Sequence, residues 1–448
     1  MKPRGLCANT LRASNMRDWE YRSLRDLVGS PISGSRPAGG VREDTEGVPS
    51  LGGENVLAEG GMTYRVLKKV PHQFYALMSK GKLRNGDVLI NKDGAQTGKV
   101  GLYTGEFDRA AVNEHLFILR SSDGAVDEQF LYYSLLRRGT QEAIARQITG
   151  SAQPGLASTF VDHIRIPLPT DLDEQRCVAR VLLTIDTAIT ETKAIIAKLK
   201  AVKQGLLRDL LTRGIDANGK LRPPQTEAPH LYKESTLGWI PKEWEPLPLE
   251  QVTDTPICYG IVQVFGFVPN GVPVLAIRDL HGDFTTGIHR TAVRIDAAYP
   301  RSRVRPGDVL LSIKGTLGRV GVVPSHFTGN ISRDIALIRP TPRVRSLYLA
   351  QMLQSTIGQQ LLSLAQVGTT RGEISIAPLR RIVVPLPDVE EQQRLEASLE
   401  ASEARIKQEE LALQKLRSEK VGLMDDLLTG RIRVTPLLAE AAQQPGSA

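Results

Sequence analysis

The sequence predicts an α+β protein: two similar mixed α/β domains joined by two long helices that form an antiparallel coiled coil. Three observations predict it. The chain is written twice with a period of about 220 residues, each copy carries short apolar runs bounded by turn residues, and each copy closes with a heptad-spaced run of about 40 residues.

The repeat is plain in the residues. Leu83-Arg-Asn-Gly-Asp-Val-Leu-Ile-Asn-Lys-Asp-Gly returns as Val304-Arg-Pro-Gly-Asp-Val-Leu-Leu-Ser-Ile-Lys-Gly, and Gly98-Lys-Val-Gly-Leu as Gly318-Arg-Val-Gly-Val. Asp18-Trp-Glu and Glu243-Trp-Glu stand upstream of these. Downstream, Phe130-Leu-Tyr-Tyr matches Leu347-Tyr-Leu-Ala, Ile166-Pro-Leu-Pro matches Val384-Pro-Leu-Pro, Glu174-Gln175 matches Glu391-Gln392, and Asp209-Leu-Leu-Thr matches Asp426-Leu-Leu-Thr. A period this long exceeds any solenoid unit, so the copies are domains.

Within each copy the Gly-Asp-Val-Leu blocks at 86–89 and 307–310 read as buried strands joined by tight turns, as do Leu116-Phe-Ile-Leu and Ile335-Ala-Leu-Ile. Helical stretches follow at roughly 127–146 and 344–366. Pro167 and Pro169, like Pro385 and Pro387, cannot continue a strand interior and mark the exit from each domain. The expected boundaries are a first domain at 15–170, a helix at 171–213, a linker at 214–238, a second domain at 239–387, a helix at 388–430 and a flexible tail at 431–448.

Alternating steps of four and three from Val178 meet Leu182, Ile185, Ile189, Ile196, Leu199, Leu206 and Leu210; from Leu395 they meet Leu399, Ile406, Leu413, Leu416, Leu423 and Leu427. Apart from Gly205 and Gly422 near their ends, neither run contains Gly or Pro, so each predicts a helix about 60 Å long at ~1.5 Å per residue. Such a stripe needs a partner helix. If that partner is the other copy, an antiparallel pair holds the two domains at opposite ends of a stiff rod; the alternative is that each helix packs on its own domain. Lys203 and Lys420 share one repeat position, and Thr192 and Glu409 another, where they set register or lie at the stripe edge.

Composition bounds the function. With 57 Lys and Arg against 49 Asp and Glu, the formal charge is +8 and the isoelectric point about 9.3, which suits a polyanionic partner. Cys7, Cys177 and Cys258 form no Cys-x-x-Cys pair, which argues for a reduced, cytoplasmic setting rather than a disulfide framework. No apolar run reaches the ~20 residues of a membrane span, and the first residues lack the apolar core of a signal peptide, so no membrane association is expected.

Catalytic signatures are scarce. Gly94-Ala-Gln-Thr-Gly-Lys-Val is one residue short of a phosphate loop and has Val100 where a Ser or Thr would hold magnesium. The seven histidines make no zinc-binding pair, there is no Gly-x-Ser-x-Gly elbow, and no Asn-Pro-Pro-Tyr segment of an amino-methyltransferase occurs. Asp87 and Asp308 each follow Gly in a turn, where hydrogen bonding to backbone explains them better than acid–base work. Basic residues instead gather near the repeated turns: Lys80, Lys82, Arg84, Lys92 and Lys99 in one copy, Arg301, Arg303, Arg305, Lys314 and Arg319 in the other. Two basic loops, one per domain, suit two contacts along one duplex, with Lys and Arg on phosphates and Arg, Asn, Gln or Ser on base edges.

The series Gly86-Asp-Val-Leu, Gly150-Ser-Ala-Gln-Pro-Gly-Leu, Ile166-Pro-Leu-Pro and Asp173-Glu-Gln, then a long helix ending Gly205-Leu-Leu-Arg-Asp-Leu-Leu-Thr, resembles the specificity subunit of type I restriction-modification systems. The likeness spans roughly 15–432. In the second copy Gly368-Thr-Thr-Arg-Gly-Glu-Ile replaces the glutamine-containing segment, while Tyr259-Gly-Ile-Val-Gln and Val272-Pro-Val-Leu-Ala-Ile-Arg-Asp-Leu also look like target-domain segments. The resemblance implies two target recognition domains, each reading one half of a split double-stranded DNA site, with the helices as spacer and no catalytic centre or cofactor on this chain. It implies two modification subunits using S-adenosylmethionine to methylate adenine and flip its base, and restriction (translocase-nuclease) subunits using ATP and Mg. The alternatives are a specificity subunit serving a fused restriction-methyltransferase, or a coiled-coil scaffold that binds no DNA. On loop position and chemistry, the DNA-contact candidates are Ser35, Arg36, Arg42, Lys92, Gln96, Lys99 and Gln153 in the first domain, and Tyr259, Gln263, Arg278, Lys314, Thr316, Arg319 and Arg371 in the second.

Overall fold

The repeated Gly-Asp-Val-Leu segments enter the inner strands of two matching sheets. The structure is a computed structural model that describes residues 18–434 except 41, 44–45, 151–153, 264–265, 283 and 368–371, so Gln153 and Arg371 lie outside the described residues. In the first half a four-stranded antiparallel sheet has the order Ile32–Ser33, Leu116–Leu119, Val88–Asn91, Val100–Leu102. The second half has Cys258–Tyr259, Ile335–Ile338, Val309–Ser312, Val320–Val322 in the same order. All four residues of each inner strand are buried, the polar Asn91 and Ser312 at the strand ends included.

A three-stranded sheet accompanies each. Val48–Leu51 pairs antiparallel with Lys69–Val70 and parallel with Ala111–Val112; Val272–Leu275 pairs antiparallel with His289–Thr291 and parallel with Asn330–Ile331. The ladders fix which residues correspond. Val88 faces Leu119 where Val309 faces Ile338, and Ser50 faces Ala111 where Val274 faces Asn330.

Asp87 and Asp308 are structural, as the turn reading holds, but they do more than cap a turn. Asp87 accepts from the backbone N–H of Arg84 at 2.7 Å and from both prongs of Arg120 at 2.7 and 2.6 Å. Asp308 accepts from the Arg305 N–H at 2.7 Å and twice from Arg339 at 2.7 Å. Each carboxylate is 2% exposed, so its charge is tolerated because the guanidinium matches it.

Two sequence expectations need correction. The predicted helical stretches are each broken in two, into Glu128–Leu136 with Arg138–Ala145 and Ser346–Gln354 with Thr356–Leu364. Arg137 and Ser355 at the breaks are extended (ψ 136° and 162°), and the Ser355 hydroxyl caps the following turn at Gly358. Pro169 ends its strand and Pro387 directly follows its own, just before the long helices, but Pro167 and Pro385 lie inside them. Pro167 faces Tyr21 inside the pair of Arg165–Pro169 with Trp19–Ser23, and Pro385 faces Pro246 where Val383–Leu386 meets Glu245–Pro248. A two-stranded ribbon has only edges, so a residue without an N–H fits where its ladder bond is not needed.

The two long helices run Leu172–Arg213 and Val389–Leu427. The described chain divides into two units, residues up to Lys193 with those from Leu411 onward, and Ala194–Glu410. In the first unit Val178 and Leu182 share a core with Met424, Leu427 and the first sheet; in the second, Leu207 and Leu210 share one with Leu395, Leu399 and the second sheet. The start of one helix therefore lies beside the end of the other in both units, the antiparallel arrangement that the stripes predict. Lys203 and Lys420 have the same job. Lys203 Nζ meets Glu403 at 2.5 Å in one unit and Lys420 Nζ meets Asp186 at 2.6 Å in the other, so both lysines keep their stems against the stripe and their heads on an acid of the opposing helix.

Candidate nucleic-acid interface

The candidate residues fall on matching loops. In the first domain Lys92, Gln96 and Lys99 occupy the hairpin loop between Val88–Asn91 and Val100–Leu102, all half-buried; in the second Lys314, Thr316 and Arg319 occupy the loop between Val309–Ser312 and Val320–Val322, with Thr316 exposed. A positive φ at Gly94 (76°) and Gly315 (68°) turns the chain there. This hairpin leads into a strand, not a helix, so the phosphate-loop likeness around Gly94 has no helix N-terminus to hold a phosphate. Lys92 Nζ lies 5.2 Å from the Phe117 ring centre and 3.4 Å from Ser33 Oγ.

A second pair of loops comes beside the first. Ser35 and exposed Arg36 follow Ile32–Ser33, while exposed Tyr259 ends the matching strand and exposed Gln263 follows it. Gly34 and Gly260 sit at the same place in both, and a Cβ on either would stand 1.8 Å from the backbone oxygen of Val112 or Ile331. Only glycine lets this loop lie against the neighbouring strand. Arg42 is exposed elsewhere, its carbonyl accepting from the Lys69 N–H at 2.8 Å. Arg278, exposed, follows the strand Val272–Leu275 and donates to the Gly287 carbonyl at 3.4 Å.

The idea of one basic loop per domain does not hold. Arg84 precedes the strand Val88–Asn91 while Lys92 and Lys99 follow it, and Arg303 and Arg305 likewise precede Val309–Ser312 while Lys314 and Arg319 follow it. A four-residue strand puts ~13 Å between the groups. Several of these cations also have structural partners: Lys82 donates to the Ala76 carbonyl at 3.2 Å, and Arg303 pairs with buried Asp296.

Sequence reasoning missed the third loop. In the first domain, residues 113–115 connect Ala111–Val112 to Leu116–Leu119 and place His115 Nδ1 2.6 Å from Asp93 and Glu114 3.0 Å from Arg36. The Lys92 N–H donates to the His115 carbonyl at 3.0 Å, and in the second domain the Ile313 N–H donates to the Asp334 carbonyl at 2.8 Å. Glu114 and His115 thus correspond to Arg333 and Asp334. Pairing the strand runs Leu116-Phe-Ile-Leu and Ile335-Ala-Leu-Ile residue by residue and stepping back two places would have found them.

Among the described residues no group of three or more His, Cys, Asp or Glu could hold a metal ion, and no helix is long and apolar enough to cross a membrane. The family model described as Type I restriction modification DNA specificity domain matches residues 16–201. The chain is 25% identical over 435 residues to the type I restriction enzyme MjaVIII specificity subunit of Methanocaldococcus jannaschii, covering 94% of each. The chain is similar to type I restriction specificity subunits. Another such specificity subunit, that of the EcoBI enzyme of Escherichia coli, is 24% identical over 359 residues, 78% of this chain and 72% of that one. The fold of a specificity subunit is seen as well in solved structures. A chain from a study of complex assembly and conformational transition of the type I R-M system superposes with a TM-score of 0.61 at 18% identity, covering 93% of this chain and 98% of that one. The type I S subunit of M. genitalium does so with a TM-score of 0.51 at 14% identity, covering 96% and 99%.

Proposed function

We propose that this chain is the non-catalytic subunit that gives a type I restriction-modification complex its DNA sequence. Each target recognition domain reads one half of a bipartite double-stranded target, and the paired helices set the spacing between the halves. The observation that carries this reading is the duplicated scaffold. Both copies keep the same sheet order and the same buried Asp–Arg pair, while their exposed loops carry different residues, as two readers of two different half-sites must.

Methylation and cleavage belong to partners in this reading: two modification subunits supplying S-adenosylmethionine-dependent adenine methylation, and restriction subunits supplying ATP- and Mg-dependent translocation and cutting. The support is the specificity-domain match. Mapping methylated adenines in host DNA with and without the gene tests the function. Loss of a single bipartite motif is the expected result; an unchanged methylation map would overturn it.

A further inference from the structure

The ladders allow a comparison that composition hides. At three matching backbone positions around these loops the two domains carry opposite charge, whereas Lys99 and Arg319 keep the same sign. Asp93 and Lys314 correspond, since each bridges the segment that follows the hairpin, at Gly155 and Glu373 respectively. Glu114 corresponds to Arg333 through the shared register of Leu116–Leu119 and Ile335–Ile338. Glu54 corresponds to Arg278, because each stands one residue before the side chain that accepts from the turn's first N–H, Asn55 from Gly52 at 2.9 Å and Asp279 from Ala276 at 2.7 Å.

In the first domain these acids form one patch with their own cations. Asp93 is held by His115, Glu114 by Arg36, and Glu54 by Lys68 at 2.7 Å; although burial pushes the Glu54 carboxyl up, Lys68 and, more weakly, His115 hold it below the usual carboxylate range. In the second domain the pairs are turned round: Lys314 meets Glu373 at 3.0 Å, Arg333 lies 3.7 Å from Asp334, and Arg278 lies 3.5 Å from Asp279. The sign of the charge at these three matched positions is reversed on an unchanged frame. The buried parts show no such reversal, since Asp87–Arg120 and Asp308–Arg339 keep their sense. Packing therefore does not demand the exchange.

We infer that this three-loop patch is where each domain selects its bases, and that the two domains do so with opposite hydrogen-bonding sense. Carboxylates accept only, so Asp93 and Glu114 read an exocyclic amine, on cytosine or adenine, in the first half-site. Guanidinium and ammonium groups donate only, so Arg333 and Lys314 read guanine oxygen and nitrogen acceptors in the second. Pairing each acid with a neighbouring cation holds it in place and keeps the patch from repelling phosphates. The inference rests on the proposed function and adds which residues choose the bases.

The test uses the full chain assembled with type I modification subunits, acting on plasmid libraries with each half-site randomised in turn. Glu114→Gln and Asp93→Asn should change preference at a position of one half-site only; Arg333→Gln and Lys314→Gln should relax a guanine in the other half-site only, by about tenfold to a hundredfold. Arg333→Lys should relax the same guanine, because the two-pronged contact is lost although the charge remains. Recovery of full specificity by Arg333→Lys, weakening at all sequences alike, or unchanged motifs in all variants would overturn the inference. A wild-type complex that marks no bipartite motif would instead overturn the proposed function, and the inference with it.

Discussion

Glu391, the third residue of the second long helix, accepts both prongs of Arg222, which lies beyond the end of the first helix, at 2.5 and 3.0 Å. The same carboxylate accepts from the Ile215 N–H at 2.8 Å and from Trp244 Nε1 at 3.1 Å. The other unit repeats it: Glu174, third in the first long helix, accepts from Arg433, beyond the end of the second, at 2.5 and 2.6 Å. Each glutamate is about 2% exposed and stands in the first turn of its helix, where negative charge is favoured. The Glu-Gln pair that the repeat displays is thus a lock, and its glutamine has a part too. Gln175 and Gln392 each bridge a helix-starting N–H, of Asp127 and Arg345, to a proline carbonyl, of Pro169 and Pro387.

Breaking that lock should be costly. Glu391→Gln leaves the buried Arg222 guanidinium with only the exposed Glu243, 3.8 Å away, an expected loss of about 3 kcal/mol in the second unit. Chemical denaturation followed through the buried, hydrogen-bonded Trp244 indole reads it directly, with unfolding at lower denaturant than wild type.

The two sheet clamps should behave alike. Asp87→Asn and Asp308→Asn each remove the charge that two guanidinium bonds match, at a cost of about 2–4 kcal/mol, because Arg120 and Arg339 keep some contact with solvent. Hydrogen exchange should show faster opening of Val88–Asn91 in the first variant and of Val309–Ser312 in the second.

On the helices the ion pairs are exposed at one end and worth less. A double-mutant cycle on Lys203 and Glu403 should give a coupling of about 0.5–1 kcal/mol, reduced by salt, and the charge-swapped pair should recover it.

High pH should weaken the fold. Burial pushes the hydroxyl pKa of Tyr132, Tyr133 and Tyr348 far above the ordinary tyrosine value of 10.0, and nearby acids add to it. Above pH ~10 the unfolded chain has lost these protons while the folded chain retains them, so stability falls as pH rises, by up to ~1.4 kcal/mol per pH unit for each tyrosine. Phenolate absorbance rising in step with unfolding is the expected signal. Tyr133→Phe, which removes one such proton along with the 3.0 Å bond to Asp186, should make the alkaline limb shallower by about one proton.

Arg319 stands on the second hairpin loop with its backbone N–H on Ser312 Oγ at 2.8 Å and its side chain half-buried. If the guanidinium meets phosphate, Arg319→Ala should weaken DNA binding equally across sequences and lower the salt slope by about one; if it meets a base, one position of the motif should relax. A binding isotherm in two salt concentrations and a methylation map separate the outcomes.

The sequence by itself determined the architecture. A repeat with matching Gly-Asp-Val-Leu and Glu-Gln signals, and apolar stripes at four-three spacing, leave little freedom in what the elements are, because buried strands and long helices write their periods into the chain. It also placed most of the candidate residues on loops, since turns declare themselves by Gly, Asn and Pro. Only the tertiary structure decided the partners. That Asp87 finds Arg120, that Glu391 finds Arg222, and that Glu114 and Arg333 hold one position with opposite charge depends on strand register and on chain segments far apart in sequence. Periodicity states which face a residue takes; hydrogen-bonded register states whom it meets there.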